Sequence, residues 1–285
     1  MRLLAAAILA ISLIFACSPS NTGEDHTPPE TEQRAEVWVD NSVADFKRRD
    51  GFLTIFADEK GGKVFAVFPA AGEDGVSLRA IYASGLTSGL GSNPIGLDRG
   101  LFDSGSLIAF RRVGDKLIAE QENWTYRASS DNALERKAVR ESFARSFLWA
   151  GEITATGPDG QILVDLSSFI TRDSLGVVSA LKNHPRGGLF SVAADRTFPD
   201  PAAALAFPDN VEFDAYMTLT SDNPGSEVRA TAADGRVITL VQHHSLVRLP
   251  DDGYTPRAFD PRSGAIDIVH YDFSAPLDEQ ILRSV

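Results

Sequence analysis

Short hydrophobic runs separated by tight turns recur through most of this chain, and they constrain its fold more than any other feature. The segments 51–69, 107–121 and 153–166 each contain two such runs. The turn between the runs always includes glycine and aspartate, which are typical of hairpin turns. The three segments are therefore predicted to be antiparallel hairpins.

Further strands are predicted between and after these hairpins. Strand-like patterns cover 77–83, 211–220, 237–249 and 266–273. Residues 52–56 are mostly apolar on both faces, which predicts that this part of the sheet is covered on both sides. The chain is thus expected to be α+β and β-rich, with antiparallel hairpins, a sheet and one or two helices.

Two helices are predicted among these strands. Asn132 can cap the first, and Glu135 stands at the capping-box position three residues later. A second, shorter helix is predicted over 174–183 with Asp173 as its cap. The apolar residues of the first helix recur at a helical period. They are Leu134, Ala138, Val139, Phe143 and Phe147.

The N-terminus has the pattern of an export signal. Arg2 precedes an apolar run over 3–16, which as a helix would span roughly 21 Å, less than the hydrocarbon core of about 30 Å. The run therefore fits a signal peptide over 1–16. It ends in the sequence IFAC, which resembles a bacterial lipobox and implies lipidation of Cys17. The alternative is a simple signal peptide followed by an unmodified cysteine.

The lipobox resemblance also defines the expected organisation and location. Residues 17–36 are polar and contain proline and glycine, so they predict a flexible, disordered tether behind the lipidated cysteine. The β-rich domain then covers 37–285, either as one unit or as two subdomains split near 150–195. Ser18, and not aspartate, follows the cysteine, so we expect an outer-membrane lipoprotein that faces the periplasm or the cell surface.

Charge and residue spacing exclude several kinds of chemistry. The chain carries a formal charge of −12, which disfavours a nucleic-acid partner. No His-Glu-x-x-His motif occurs, and the one cysteine excludes a zinc ribbon. His243 and His244 are adjacent, and neighbours in a strand point to opposite faces, so the two cannot both ligate one metal. The sequence therefore predicts neither catalytic nor metal-ligating residues on this chain. Its arginines fall into groups at 111–112, 136–145 and 257–262, which do not predict one continuous patch.

Glycine- and arginine-rich segments, taken in order, resemble a known bacterial family. Together they resemble the N-terminal, DUF5117-type domain of large secreted zinc-dependent metalloproteases, over about 51–277. The segments are 89–100 (GLGSNPIGLDRG), 110–116 (FRRVGDK), 122–128, 139–144, 163–165, 172–173, 207–210, 244–250 (HSLVRLP) and 254–264 (YTPRAFDPRSG).

The resemblance implies a non-catalytic module of an exported metalloprotease, here truncated or encoded alone. In that family a separate catalytic domain carries the His-Glu-x-x-His helix and its zinc, so no cofactor is implied for this chain. The implied roles are covering, folding or docking the peptidase domain, or contacting polypeptide substrate. The implied partners are the membrane, through the lipidated N-terminus, and a metallopeptidase domain or polypeptide.

Two other function classes remain open. A stand-alone periplasmic or outer-membrane binding or scaffolding lipoprotein would need a groove or an exposed sheet edge. An independent hydrolase would need a nucleophile–base pair or a metal cluster, and the spacing of the residues presents neither.

Five residues on two loops, the first at 96–100 and the second at 257–262, are interface candidates. Arginine makes bidentate contacts with carboxylates, which makes such loops suitable for docking. Each loop also has a structural interpretation: the first as a shaped turn with Asp98 bonded to backbone donors, the second as an ion pair with Asp260 or Asp267. The candidates are Asp98, Arg99, Arg257, Asp260 and Arg262.

Overall fold

The computed structural model describes residues 43–250, 253, 257–264, 268–276 and 281–284. Most of this part of the chain is in strands. The strands are β1 Lys47–Arg49, β2 Thr54–Asp58, β3 Lys63–Phe68, β4 Val76–Ser88, β5 Ser106–Val113, β6 Lys116–Gln121, β7 Tyr126–Arg127, β8 Ser146–Thr156, β9 Ile162–Asp165, β10 Gly188–Val192, β11 Phe198–Ala206, β12 Asn210–Pro224, β13 Val237–Arg248, β14 Ile268–Asp272 and β15 Ile281–Ser284.

Four α-helices accompany the strands in the described residues. They are α1 Ala133–Ser142, α2 Ser167–Ile170, α3 Val177–Asn183 and α4 Ser226–Thr231, with 3-10 turns at Ala194–Arg196 and Pro261–Ser263. The predicted β-rich class is confirmed, but the predicted number of one or two helices is too small for the described residues, because the short α2 and α4 were not foreseen. Within this part of the chain, none of the helices combines the length and apolar character needed to cross a membrane.

Twelve strands form one antiparallel sheet in the order β1-β2-β3-β9-β8-β6-β5-β4-β13-β12-β10, with β11 also paired to β12. This sheet contains hydrogen-bonded strands from both sides of the 150–195 interval, near which a split into two subdomains was considered. A second sheet has the order β15-β14-β7, and its β7–β14 pair is parallel.

The large sheet curves until its β1–β2 end meets β11. The Arg49 guanidinium donates to the carbonyl oxygens of Pro201 at 3.0 Å and Ala204 at 2.6 Å. The Phe52 amide donates to the Phe207 carbonyl at 2.7 Å. These bonds satisfy backbone groups that an open edge would leave to solvent.

The closed sheet surrounds the main hydrophobic core. Apolar side chains from most of its strands point inward and exclude water, while α2 adds Phe169 and Ile170 to the same core. Burial of such side chains contributes about 1.5–3 kcal/mol each. Large members of this core are Ile55, Phe68, Phe110, Leu117, Phe169 and Phe213.

A second core extends the sheet beyond this interior. The far ends of β4, β12 and β13 pack against α3, α4 and the loop over 89–100. Gly89 lies so close to the other side of this loop that a Cβ would come within 2.3 Å of the Leu97 carbonyl oxygen. Glycine is therefore required where the loop folds back on itself.

The predicted strands and the second helix agree with the structure. The three hairpins are β2–β3, β5–β6 and β8–β9. Helix α3 begins at Val177, three residues after the predicted start. The N-cap residue is Gly176 and not Asp173 as predicted, but the Asp173 carboxylate accepts hydrogen bonds from the Val177 amide at 2.7 Å and the Val178 amide at 2.9 Å. It therefore satisfies two amides of the first turn from outside the helix.

The first predicted helix is shorter than its pattern indicated. Asn132 does cap α1 by accepting from the Leu134 amide, but Glu135 accepts from the Ser130 hydroxyl at 2.5 Å. Leu134 is 75% exposed, and Phe147 lies on β8 opposite Glu120. The helix therefore ends before Phe147, because Phe147 pairs into the sheet although it continues the apolar period of the sequence.

The predicted signal peptide, Cys17 and tether lie outside the described residues. Val43, which is 2% exposed, begins the described part by packing with Phe56, Phe65 and Leu163 on the outer face of β2, β3 and β9. This small cluster accounts for the apolar residues predicted on both faces of the first hairpin.

Candidate functional site: an arginine-lined cleft

A cleft of about 540 Å³ lies between the outer face of β4, β5 and β6 and a layer formed by β7 and α1. Ala80, Phe110 and Ala119 point into the main core. Their neighbours Arg79, Arg111 and Glu120 therefore point outward, because successive side chains of a strand alternate between faces. These outward residues form the floor of the cleft.

Glu120 is the most buried charge of the floor. Its carboxylate accepts from Arg145 Nε at 2.6 Å and from Arg111 Nε at 3.3 Å, and the residue is 7% exposed. Burial alone would raise the pKa of Glu120, but the hydrogen bonds and charges of Arg145 and Arg111 outweigh it and hold the pKa below its usual value. Glu120 therefore stays ionised and fixes two arginines.

A second ionic group lies at the other side of the floor. Arg79 Nε donates to both carboxylate oxygens of Glu122 at 3.1 Å, and its terminal nitrogen lies 3.2 Å from Asp74. The Trp124 indole donates to Glu122 at 3.0 Å. These contacts place an indole ring beside the paired charges.

The wall of the cleft is held by stacked aromatic rings. Tyr126 of β7 lies 4.2 Å from Phe143, just beyond α1, with nearly parallel rings, and 5.3 Å from Tyr271 of β14. Phe273 completes this cluster. The stack joins the end of α1 to the small sheet and so holds the parts of the wall together.

The cleft is positive although the chain is acidic. Six arginines and three carboxylates line it, which leaves a formal charge of +3, whereas the whole chain carries −12. Two of the three arginine groups that looked separate in the sequence, 111–112 and 136–145, meet here. Strand pairing brings Arg145 to Glu120 across 25 residues, whereas no residue of 257–262 lines this cleft.

The interface candidates of the first loop lie outside this cleft. Leu97 packs into the second core, whereas Arg99 is exposed. The Asp98 backbone carbonyl accepts from the Leu101 amide at 3.1 Å. The Asp98 side-chain Oδ1 is buried without a hydrogen-bond partner among the described residues. The turn is shaped as expected, but Asn93 provides the side-chain cap, accepting from the Ile95 amide at 2.9 Å.

The second loop contains the expected ion pair. Asp260 accepts from Arg262 Nε and from the Arg262 amide, both at 2.9 Å, across the 3-10 turn. Arg257 is exposed on the same loop. In the described residues, no hydrogen bond or ion pair joins this loop to Asp98 or Arg99.

The adjacent histidines lie on opposite faces, as predicted. His244 is fully buried, and its Nδ1 lies 2.8 Å from the Tyr82 hydroxyl. His243 lies outside, with Nδ1 2.6 Å from Asp214 and Nε2 2.8 Å from Glu212. No group of three or more potential ligands arranged to hold a metal occurs in the described residues.

The comparison with family models decides the family. A model described as a domain of unknown function (DUF5117) matches residues 102–285, nearly two thirds of the chain. The chain belongs to the DUF5117 family. The match includes every cleft residue except Asp74 and Arg79.

The DUF5117 match begins later than the resemblance suggested, at residue 102 instead of 51. Strands β1 to β4 therefore lie outside it, although β4 pairs with both β5 and β13. The matched segment is thus smaller than the folded unit. No curated protein and no solved structure matches the chain.

Sequence reasoning missed the cleft because its parts are far apart in the chain. The motifs Phe110-Arg111-Arg112 and 139–144 were recognised separately as family-like. One signal could have connected the two motifs, namely the many arginines in 111–145 together with Glu120 and Glu122. Its use requires placing β5, β6 and the following helix on one side of a sheet.

Proposed function

We propose that this protein is a non-catalytic docking module that contacts polypeptide, of the kind that accompanies exported zinc-dependent metalloproteases. The observation that carries the proposal is the arginine-lined cleft. It combines an unbalanced positive charge with aromatic side chains in a volume typical of ligand sites. Polypeptide presents both carboxylates and apolar side chains, so it matches both parts of the lining.

The structure around the cleft supports binding more than chemistry. Glu120 and Glu122 are each held by arginine or tryptophan donors. Burial opposes ionisation of Glu120, but the bonds and charges of Arg145 and Arg111 hold the pKa of this carboxylate below its usual value, so its protonation is disfavoured. The cleft is therefore proposed to position a ligand.

Location and cofactor belong to the same proposal. Export through the signal at 1–16 and a lipid on Cys17 would hold the module at the outer membrane, facing the periplasm or the cell surface. Zinc would belong to a separate peptidase domain. The module would cover, fold or dock that domain or contact its polypeptide substrate.

The direct test incubates the purified full chain with labelled casein and gelatin and records binding and cleavage together. We expect a rise in fluorescence anisotropy with no new fragments on a gel. Cleavage by the pure chain would overturn the non-catalytic part of the proposal, and absence of any binding would overturn the docking part.

A stand-alone binding lipoprotein is the second candidate, and an exposed strand favours it. Strand β10 is the last strand of the sheet order, and its Leu189 is 58% exposed and Val192 37% exposed. Such an edge can pair with an extended segment of a partner. An antibody against 51–277 distinguishes the candidates in cells: a species near 30.7 kDa favours the lipoprotein, and a much larger species favours the protease module.

A further inference from the structure

Three of the six cleft arginines have no carboxylate partner among the described residues, and Arg127 is the most enclosed of them. Its Nε atom is buried without a hydrogen-bond acceptor in that part of the chain. Asp272 is its register partner across β7 and β14, but the Asp272 carboxylate accepts from the Ser129 amide at 3.1 Å and the Ser274 hydroxyl at 2.5 Å. A buried donor without an acceptor is unfavourable, and an anion bound in the cleft would supply an acceptor to this guanidinium.

The other two unpaired arginines lie on α1. Arg136 and Arg140 are four residues apart, so they share one face of the helix. Arg136 donates to the Ser130 carbonyl at 2.5 Å, and Arg140 is exposed without an ion pair among the described residues. Like charges at this spacing repel each other. An anion between the helix and the floor would turn that repulsion into attraction.

The aromatic lining restricts the type of anion. Trp124, Tyr126 and Phe143 border the same cleft as the unpaired arginines. A small inorganic ion could use the arginines but would leave these rings without contact. A ligand that carries both carboxylates and apolar groups would use the whole lining.

We infer that the cleft is a specific site for acidic peptide segments, with carboxylates bound by Arg127 and Arg140 and neighbouring apolar side chains packed on the aromatic wall. The planar guanidinium matches a carboxylate through two parallel hydrogen bonds. This inference rests on the proposed docking function and specifies the class of polypeptide that docks. We assign the acidic segment to a partner polypeptide, because the proposed function is docking. Competition by the polar stretch before residue 43, which contains Glu24, Asp25, Glu30 and Glu32, is an outcome of the test.

The test uses three labelled octapeptides that alternate phenylalanine with Glu, Gln or Lys, titrated into the full chain by fluorescence anisotropy. We expect the Glu peptide to bind at least about tenfold more tightly than the Gln peptide, since each fixed carboxylate–arginine pair contributes about 1.4 kcal/mol or more. We expect the Lys peptide not to bind. Raising NaCl from about 0.05 to 0.2 M should weaken the Glu peptide selectively.

Substitutions assign the binding to named residues. Arg140→Gln removes an exposed, unpaired charge and should leave folding intact while weakening the Glu peptide about fivefold. Arg127→Gln should weaken it more, and Arg127→Lys should recover part of the loss because the charge returns without the planar fork. Arg99→Gln is the matched control, because Arg99 is exposed and lies outside the cleft.

The outcomes separate the inference from the function on which it rests. If Glu and Gln peptides bind equally and Arg140→Gln changes neither, the acidic specificity is wrong and polypeptide docking stands. If neither peptide nor casein binds, both are wrong. If inorganic phosphate displaces the Glu peptide more effectively than unlabelled peptide does, the site selects phosphate and the inference is overturned.

The same titration identifies the source of the acidic segment. A chain in which Glu24, Asp25, Glu30 and Glu32 are replaced by Gln should bind the Glu peptide more tightly if its own N-terminal stretch competes for the cleft. Unchanged affinity assigns the site to a partner polypeptide. A loss of affinity in this variant would contradict binding of acidic peptides by the cleft arginines alone.

Discussion

The outer face of the sheet stabilises charged side chains, whereas the inner face disfavours them. The neighbouring residues His243 and His244 of β13 show this difference. On the inner face, burial and then the nearby charge of Arg172 lower the pKa of His244 to about 3. On the outer face, hydrogen bonds to Asp214 and then Glu212 raise the pKa of His243 to about 9. At neutral pH the inner histidine is therefore uncharged and the outer one is charged.

On the inner face, buried polar groups pack among aromatic rings, and His244 Nε2 is buried there without a hydrogen-bond partner among the described residues. Tyr82 and His244 are stacked with centroids 6.1 Å apart, and the Arg172 guanidinium lies 4.0 Å above the Phe169 ring. The outer face instead collects ion pairs, of which the cleft is the densest example. Most of the stability should accordingly come from the inner face, with smaller contributions from ion pairs of the outer face, where ligand binding is proposed.

The largest expected effect is the loss of the hydrophobic core on the inner face when its first strands are removed. A fragment of residues 102–285, the DUF5117 match alone, lacks β2, β3 and β4. It would expose Phe110 and Phe213, and several losses of about 1.5–3 kcal/mol exceed a typical total stability of 5–15 kcal/mol. We expect the fragment to give no near-ultraviolet circular dichroism signal and no cooperative urea transition.

The control for this experiment is a chain of residues 37–285, which keeps every strand of the sheet. It should unfold cooperatively, with a midpoint close to that of the longer chain. A folded 102–285 fragment would show that the family boundary is also a structural boundary and that β4 is dispensable.

This boundary shows what sequence could and could not predict. Hairpins such as β5–β6 were predictable because their signals are local: apolar runs joined by Gly114 and Asp115. Closure of the sheet was not, because Arg49 bonds to carbonyl groups more than 150 residues away. Neither was the cleft, where Glu120 meets Arg145 only after β6 and α1 are in place. The residue pattern within a strand or hairpin was enough to predict that element. Contacts between elements distant in the chain could not be predicted, because no local residue pattern encodes them.

The second prediction tests the most buried charge of the outer face. Glu120→Gln leaves Arg111 and Arg145 without their shared carboxylate. Because Glu120 is 7% exposed, we expect a loss of about 2–3 kcal/mol in the free energy of unfolding, measured by urea denaturation at pH 7. The loss should shrink as the pH falls through the lowered pKa of Glu120, since the carboxylate of the natural chain is then protonated too. A loss below about 0.5 kcal/mol would place this group with ordinary surface ion pairs.

The third prediction concerns the charged histidine. The folded pKa of His243 is raised above 6.5 to about 9, so its stabilisation is complete below about pH 6.5 and is lost as the pH rises through 9. We expect the unfolding free energy of the natural chain to fall by on the order of 2 kcal/mol over that interval. His243→Gln should remove this slope while Lys137→Gln keeps it. A slope that persists in His243→Gln would assign the titration to another group.

The smallest expected effect lies on the exposed side of α1, away from both the core and the floor of the cleft. Lys137 and Glu141 form an i,i+4 pair at 3.7 Å, and their side chains are 59% and 66% exposed. Water screens such a pair, so we expect a coupling of at most about 0.5 kcal/mol from a double-mutant cycle of Lys137→Gln and Glu141→Gln. The pair has the same charges as Arg145 and Glu120, but both of its side chains are exposed, whereas the Glu120 side chain is buried. A coupling as large as the Glu120 effect would mean that charge, and not burial, sets the strength of ion pairs on this face.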